Sequence, residues 1–448
     1  EIGFGERSVF RGNAELSGLP DIQNTFMVVD VDELRTDADD LSSIPIPPFT
    51  SQEHLSMPDE VYRLGALGFS GNFTGFLNSF TAFGRARTAA GVVLTDMTFD
   101  RDTVTQFFNF RGRVASEGFD LARVTGTSTL GPLACDVRVK ATGRSMATMK
   151  ADLEGDVPMF TFNNNAITNI VVNGRLERDL FNGVLQARDP DLFLDFDGLA
   201  DLRGKWPKVD FEANVQHADL RKLGLMPGEG YNSLSARITA QGELAPDSLK
   251  GELVLERLTY CDGPDEFDIG DLRLRSDRRD GQPVMELESS VVDAKVVGPF
   301  FPTRLPDAFL SVAYSVFPSL QDEVVYKQED QHFTFDLEVK RAQGLLNRFV
   351  PGLVVSAGTK VSGYFDSRVF DMSVDADVPF ISYGAFSGDS VHIILDKTLD
   401  VLAFSFNSAR QTLSDSTFLS GIALTGKAYQ DEVELRAGWS GSSNGTEG

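Results

Sequence analysis

The sequence predicts a mainly β protein, built as an extended antiparallel sheet with one apolar face and one polar, solvent-exposed face. Apolar and polar residues alternate with a period of two in runs such as 209–215, 333–339 and 370–378. Successive side chains of a strand point to opposite faces, so each run places its apolar residues on one side of the sheet. Turn signals such as Gly71-Asn72 and Asp197-Gly198 separate the runs. At roughly 12–15 residues for each strand and turn, the chain has room for about 30 strands.

That many strands could form several sandwiches, a propeller or one long sheet. No convincing boundary divides residues 1–439, and only the Gly/Ser-rich tail at 440–448 stands apart. No blade repeat of about 40–50 residues is visible either. One long sheet curled into a trough would cover its own apolar face in part and leave room for an apolar guest. From the residues alone, an ordinary closed sandwich or barrel core remains open as the alternative.

Few helices are expected. Ala308, Phe309, Val312 and Val316 recur at helical spacing, and prolines at 306 and 318 mark a start and a stop. Residues 341–349 predict a second short helix and 219–225 a helical turn. The Pro-rich loop at 45–49 cannot be a central strand.

The composition disfavours some classes of partner and site. The formal net charge is -25, which disfavours a nucleic-acid partner because phosphates would be repelled. Phenylalanine, with 35 residues, far outnumbers Trp and Tyr, and suits a dry surface. The two cysteines, Cys135 and Cys261, form neither a disulfide framework nor a zinc motif.

No catalytic signature is present, so no enzyme activity, cofactor or metal is expected. The carboxylates of Asp375 and Asp377 share a strand face, but this spacing recurs in many strands and indicates a solvated face. The acidic run at 30–40 lacks the Gly and terminal Glu of an EF-hand loop. No apolar run of 18 residues exists, and the chain begins at Glu1 without Met, so we expect a segment of a longer protein.

A binding surface on the apolar face is better supported by the sequence than a catalytic or metal site. Its candidate lining residues come from five strand-like runs. They are Leu192, Leu194, Phe196, Val209, Phe211, Val215, Phe333, Phe335, Leu337, Val339, Phe370, Met372, Val374, Val391, Ile393 and Leu395.

Four stretches, read in order, resemble the TamB/AsmA-like family of bacterial envelope proteins, in the version found in Bacteroidetes-type organisms. The first runs from Leu67-Gly68-Phe69 to Gly91, and the second from Phe181-Asn182-Gly183 to Leu220. The third joins Leu287-Glu288 to Val297-Gly298-Pro299-Phe300, and the fourth runs from Leu346 to Leu353. Together they span roughly residues 60 to 360, and this chain is similar to a central segment of such a protein.

The resemblance implies an elongated, U-shaped β-groove with an apolar floor. It implies a conduit that carries phospholipid across the periplasm of a Gram-negative bacterium, with acyl chains sliding passively along the groove. An inner-membrane anchor and contact with an outer-membrane barrel protein would belong to regions outside this chain. Two alternatives remain: a chaperone-like factor for outer-membrane protein assembly, and a structural β spacer.

Overall fold

A computed structural model describes residues 1–19, 21, 24–43, 57, 59–144, 148–245, 250–320, 330–414 and 417–443; the expected loop at 45–49 lies outside them. These residues contain 27 strands of one antiparallel sheet, which does not close on itself. The prediction of a mainly β, antiparallel fold with few short helices is therefore confirmed. The chain divides into two compact units: unit 1 holds residues 1–205 and 211–235, and unit 2 holds residues 206–210 and 236–448.

Unit 1 is a meander in which each strand pairs with the next, from the first strand to the twelfth. Its strands are β1 (Ile2–Phe4), β2 (Ser8–Ser17), β3 (Phe26–Thr36), β4 (Leu67–Phe76), β5 (Ser79–Thr88), β6 (Gly91–Arg101), β7 (Phe108–Asp120), β8 (Leu130–Gly143), β9 (Lys150–Phe162), β10 (Asn165–Glu177), β11 (Leu180–Asp189) and β12 (Leu192–Asp201). Three short helices accompany them: α1 (Ala38–Ser42), α2 (Asp59–Arg63) and α3 (Leu121–Thr125). Two further strands, β13 (Lys208–Asp219) and β14 (Asn232–Glu243), contain residues of both units.

Unit 2 continues the same pattern. Its strands are β15 (Lys250–Asp262), β16 (Asp265–Arg279), β17 (Gln282–Ser289), β18 (Val292–Val297), β19 (His332–Val339), β20 (Val354–Val355), β21 (Lys360–Asp366), β22 (Asp371–Tyr383), β23 (Phe386–Thr398), β24 (Val401–Ser414), β25 (Thr417–Tyr429), β26 (Glu432–Gly438) and β27 (Gly441–Ser443). The short β20 pairs with β22, and β27, inside the Gly/Ser-rich tail, pairs with β25.

Both helices expected in unit 2 are present, as α4 (Leu305–Val316) and α5 (Gln343–Phe349), and residues 220–224 form the expected turn. Pro306 and Asp307 lie in the first turn of α4, where proline and an acidic side chain are favourable. Ala308, Val312 and Val316 are buried and lie four residues apart, so they form one stripe along the helix.

Helix α4 lies across the apolar side of the unit 2 sheet. Near its start it packs against a cluster that contains Phe333 on β19, whereas at its end the Val316 carbonyl accepts a hydrogen bond from Asp431 in the β25–β26 turn. The twelve residues of α4, from Leu305 to Val316, span about 17 Å. Five strand spacings, from β19 to β25, would span about 24 Å in a flat sheet. With the reach of its side chains, the helix therefore extends over the strands from β19 to the β25–β26 turn.

Glycines on the apolar side of the strands lie beneath phenylalanine rings of neighbouring strands. A Cβ at Gly363 would lie 3.0 Å from the Phe335 ring, and one at Gly426 would lie 2.5 Å from the Phe404 ring. In unit 1, Gly174 is similarly close to the ring of Phe181. The aromatic ring fills the space that the glycine leaves, a known device for stabilising glycine within a sheet.

We predict that Gly363→Val destabilises the protein by about 1–3 kcal/mol, because its side chain would overpack this position. A Cβ there would also meet the Ser373 carbonyl oxygen at 2.0 Å. Gly438→Val is the matched control, since a Cβ at this strand position meets nothing within 4 Å. Urea unfolding measures both, and equal stability of the two variants would contradict the packing role of the Gly363–Phe335 pair.

Candidate apolar binding face

The pairing register of unit 1 builds continuous apolar rows from β3 to β12. Residues directly opposite each other in antiparallel strands point to the same face, so a row of partners defines one side of the sheet. One row is Val29, Phe73, Ala82, Met97, Gly112, Val139, Leu153, Gly174, Gly183 and Gly198. Its neighbour is Met27, Gly75, Phe80, Phe99, Phe110, Ala141, Ala151, Leu176, Phe181 and Ala200. These rows form the unit 1 apolar face.

Large side chains of the unit 1 apolar face are only half-buried. Phe73, Phe80, Met97, Phe99 and Phe110 all keep part of their surface exposed. The rings of Phe73 and Phe80 lie 4.7 Å apart, and those of Phe80 and Phe99 lie 5.2 Å apart. The rings thus pack sideways across strands and still leave apolar surface for another molecule.

Unit 2 contains two equivalent rows, which form the unit 2 apolar face. The first, from β15 to β26 without β20, is Leu253, Leu274, Leu287, Ala294, Leu337, Val361, Ala376, Ile393, Phe406, Leu424 and Ala437. The second is Gly251, Ser276, Met285, Val296, Phe335, Gly363, Val374, Leu395, Phe404, Gly426 and Leu435.

Most of the predicted lining residues lie on these faces. Leu194 and Phe196 belong to the unit 1 face through their partners on β11. The Phe211 ring lies 5.1 Å from the ring of Phe196, so it joins the same surface. On the unit 2 face lie Phe333, Phe335, Leu337, Val339, Met372, Val374, Val391, Ile393 and Leu395. Val209 and Val215 are buried, and Leu192 pairs with the buried Asp189 at a strand end.

Two features differ from the sequence expectation. Phe370 does not lie on a strand: it occupies the turn before β22 with a φ of 53°, so it is not part of a regular row. Phe333 and Met372 face a covered surface, because they are buried with Ala308 and Val312 of α4 and with Phe365. The floor around α4 is thus a packed side-chain core.

The sequence reading missed the lining residues of β3 to β10. In β6, Val93, Met97 and Phe99 are half-buried, whereas Val92 and Leu94 on the opposite side are exposed. Because both sides of this strand carry apolar residues, the polarity of the side chains alone could not show which side belongs to the apolar face. The pairing of Phe99 with Phe80 and Phe110 settles the face.

The opposite, polar face carries cross-strand ion pairs. Arg175 Nε lies 2.7 Å from Asp152 Oδ1, and Arg279 binds both oxygens of Glu286. Hydrogen bonds from Arg113 and Arg175 lower the pKa values of Asp136 and Asp152, respectively. These pairs are exposed, so each contributes little to stability.

Asp375, Asp377 and His392 form a small cluster on the polar face of unit 2. His392 Nδ1 lies 2.8 Å from Asp377 Oδ1 and 3.6 Å from Asp375 Oδ1. Among the described residues this is the one group of three that could offer ligands to a metal ion. Its carboxylates are exposed, and the geometry is that of a hydrogen-bonded His–Asp pair.

Lys397 was not anticipated by the sequence reading. It follows Leu395 on the apolar side of β23, yet its side chain is fully buried. Its ammonium donates to the carbonyls of Phe370 (2.8 Å) and Leu399, two turn residues with left-handed φ. Burial lowers its pKa. Lys397 therefore ties two neighbouring turns together rather than serving the open surface.

These features define a class of protein: a large open antiparallel β-sheet with one continuous apolar face in each unit and a charged face opposite. No protein-family model, curated protein or solved structure matches the chain. The resemblance to TamB/AsmA-like proteins therefore remains a prediction. No helix among the described residues is long and apolar enough to cross a membrane.

We predict that Phe99→Arg weakens binding of the neutral apolar dye Nile red, because a guanidinium interrupts the ring ladder of the unit 1 apolar face. Phe83→Arg is the matched control: Phe83 lies on the adjacent strand, is 65% exposed and pairs with Asn72 and Asp96 on the polar face. Dye fluorescence measures both, and an equal loss would show that the dye does not distinguish the faces.

We also predict that a cysteine at position 97 reacts with a maleimide about tenfold faster than one at position 372. Met97 is half-buried on the unit 1 face, whereas Met372 is 8% exposed beneath α4. Both variants are made after replacing Cys135 and Cys261 by alanine. Equal rates would mean that α4 does not protect position 372.

Proposed function

We propose that the apolar faces carry phospholipid across the periplasm between the inner and outer membranes. The observation that supports this is the register: apolar residues stay on one side from β3 to β12 of unit 1, and the Phe side chains of these rows are only partly buried. A closed core would bury such rings. An acyl chain would lie on the apolar face while its head group reaches water.

The driving force for occupancy is removal of hydrocarbon from water. Each buried CH₂ contributes roughly 0.8 kcal/mol, so an acyl chain strongly prefers the face to solvent. In unit 1 the rows contain only Gly, Ala, Val, Leu, Met and Phe, so neighbouring positions offer similar energies to a chain. Similar energies favour sliding over tight binding. This passive scheme uses no cofactor and includes no chemical step.

A chaperone-like role in outer-membrane protein assembly is the second candidate, and the last long strand favours it. Every residue of β26 is exposed, including Val433 and Leu435. Within the described part of the chain, no strand pairs with its outer edge. Such an edge can accept an extended peptide by strand addition. The third reading, a structural spacer, is favoured only locally, where α4 fills the unit 2 face.

Photo-crosslinking tests the proposal. A photoreactive phenylalanine at position 211, on the unit 1 apolar face, should capture phospholipid in cells, and the same residue at the exposed position 216 should not. Phe211→Arg should reduce lipid captured at a second photoreactive site, position 99, whereas Gln216→Arg adds the same charge on the other side and should not. Capture of peptide instead of lipid would favour the chaperone role. Capture of neither would favour the spacer.

A further inference from the structure

A cavity of about 890 Å³ opens on the unit 2 apolar face beside the segment that leads into α4. Its volume lies within the range of small-molecule sites. Four of its lining residues, Gly251, Ser276, Met285 and Val296, are direct partners across β15 to β18. Glu286 and Lys295, which occupy the polar side of the same strands, do not line it. Glu252, Arg275 and Asp277, which alternate with the apolar residues of their strands, also line it, so the cavity lies at the strand ends next to the apolar floor.

The wall of the cavity is built by the covered core. Phe300 lines the cavity, and its ring packs 5.1 Å from Phe333. It belongs to the same cluster as α4, so the open apolar face ends here. Gly251, which has no side chain, and Ser276, which has a small one, face each other in this row and leave the floor wide. In the neighbouring row, the corresponding pair is Leu253 and Leu274.

The cavity is lined by the cations Lys250, Arg275 and Arg278 and by the carboxylates Glu252 and Asp277, and Arg278 is the cation that lies beside the apolar floor. Arg278 pairs with Pro283, two positions from the Ser276–Met285 pair, and therefore projects on the apolar side. Its guanidinium donates to the Gly281 carbonyl at 3.3 Å, and among the described residues it has no carboxylate partner. The neighbouring arginines on the polar side differ, since Arg275 pairs with Glu252 and Arg279 with Glu286.

We propose that this cavity holds a single anionic phospholipid, with an acyl chain over Met285 and Val296 and the phosphate at Arg278. The inference rests on the proposed lipid function and adds the head-group class to it. In a chain of net charge -25, an anion is repelled over most of the surface, so an unpaired arginine on the apolar face is a specific attraction. A free phosphate would leave the apolar floor unused; an acyl chain with a phosphate uses both.

The test places a photoreactive phenylalanine at position 300 and measures capture from vesicles of phosphatidylglycerol or phosphatidylcholine. We expect about fivefold preference for phosphatidylglycerol, the range of one exposed ion pair. Arg278→Gln should reduce the preference, and the adjacent Arg279→Gln, outside the cavity lining, should leave it intact. Ser276→Trp, which fills the cavity, should reduce capture of both lipids at position 300.

Several results would overturn the inference. They are equal capture of both lipids by the unaltered protein, equal effects of the two arginine variants, and complete competition by glycerol phosphate without acyl chains. A reporter at position 99 separates this inference from the function on which it rests. Lipid captured at 99 but not at 300 removes the cavity site and leaves the conduit, whereas capture at neither position removes both.

Discussion

The structure depends on cross-strand register. In a sheet with one apolar face, a slip of one residue turns the entire apolar set of a strand towards water, so each strand is held in place by the free energy of burying its row. The rows keep this alignment from β3 to β12 in unit 1 and from β15 to β26, without β20, in unit 2. Alternation along each strand supplies the two faces, and pairing between strands joins them into surfaces.

Bulges keep the faces intact where alternation fails. Between Leu255 and Leu258 one strand advances by three residues while its partner advances by two, which keeps Leu258 on the apolar side, where it is 6% exposed. The same three-against-two step occurs between Val31 and Leu34 and between Ser116 and Phe119. Each bulge adds one residue to a single strand and so resets its side-chain phase. Because of this extra residue, the side chains that follow each bulge return to the apolar face.

The alternation of apolar and polar residues was enough to predict the mainly β fold and the placement of most of the named residues on the unit 2 apolar face, because the runs 333–339 and 391–395 alternate without interruption. It could not predict Phe370, since a strand-like run continues into a turn whose left-handed φ is set by the hairpin. It could not assign β6, where both sides are apolar. The amphipathic pattern of α4 was readable, but its position over Phe333 and Met372 is a tertiary contact between residues far apart in sequence.

Aromatic and glycine content are linked on this surface. A ring from one strand occupies the space that a glycine leaves on the next strand, as in the Phe335–Gly363 and Phe404–Gly426 pairs of unit 2. The same pairing makes a floor whose rings pack sideways and keep one side free. In unit 2, α4 occupies that free side and gives a core; in unit 1, the rings of Phe73, Phe80 and Phe99 stay only partly buried. The same pattern of side chains thus gives either a filled core or a partly exposed apolar face, and the difference is whether a helix of the chain covers it.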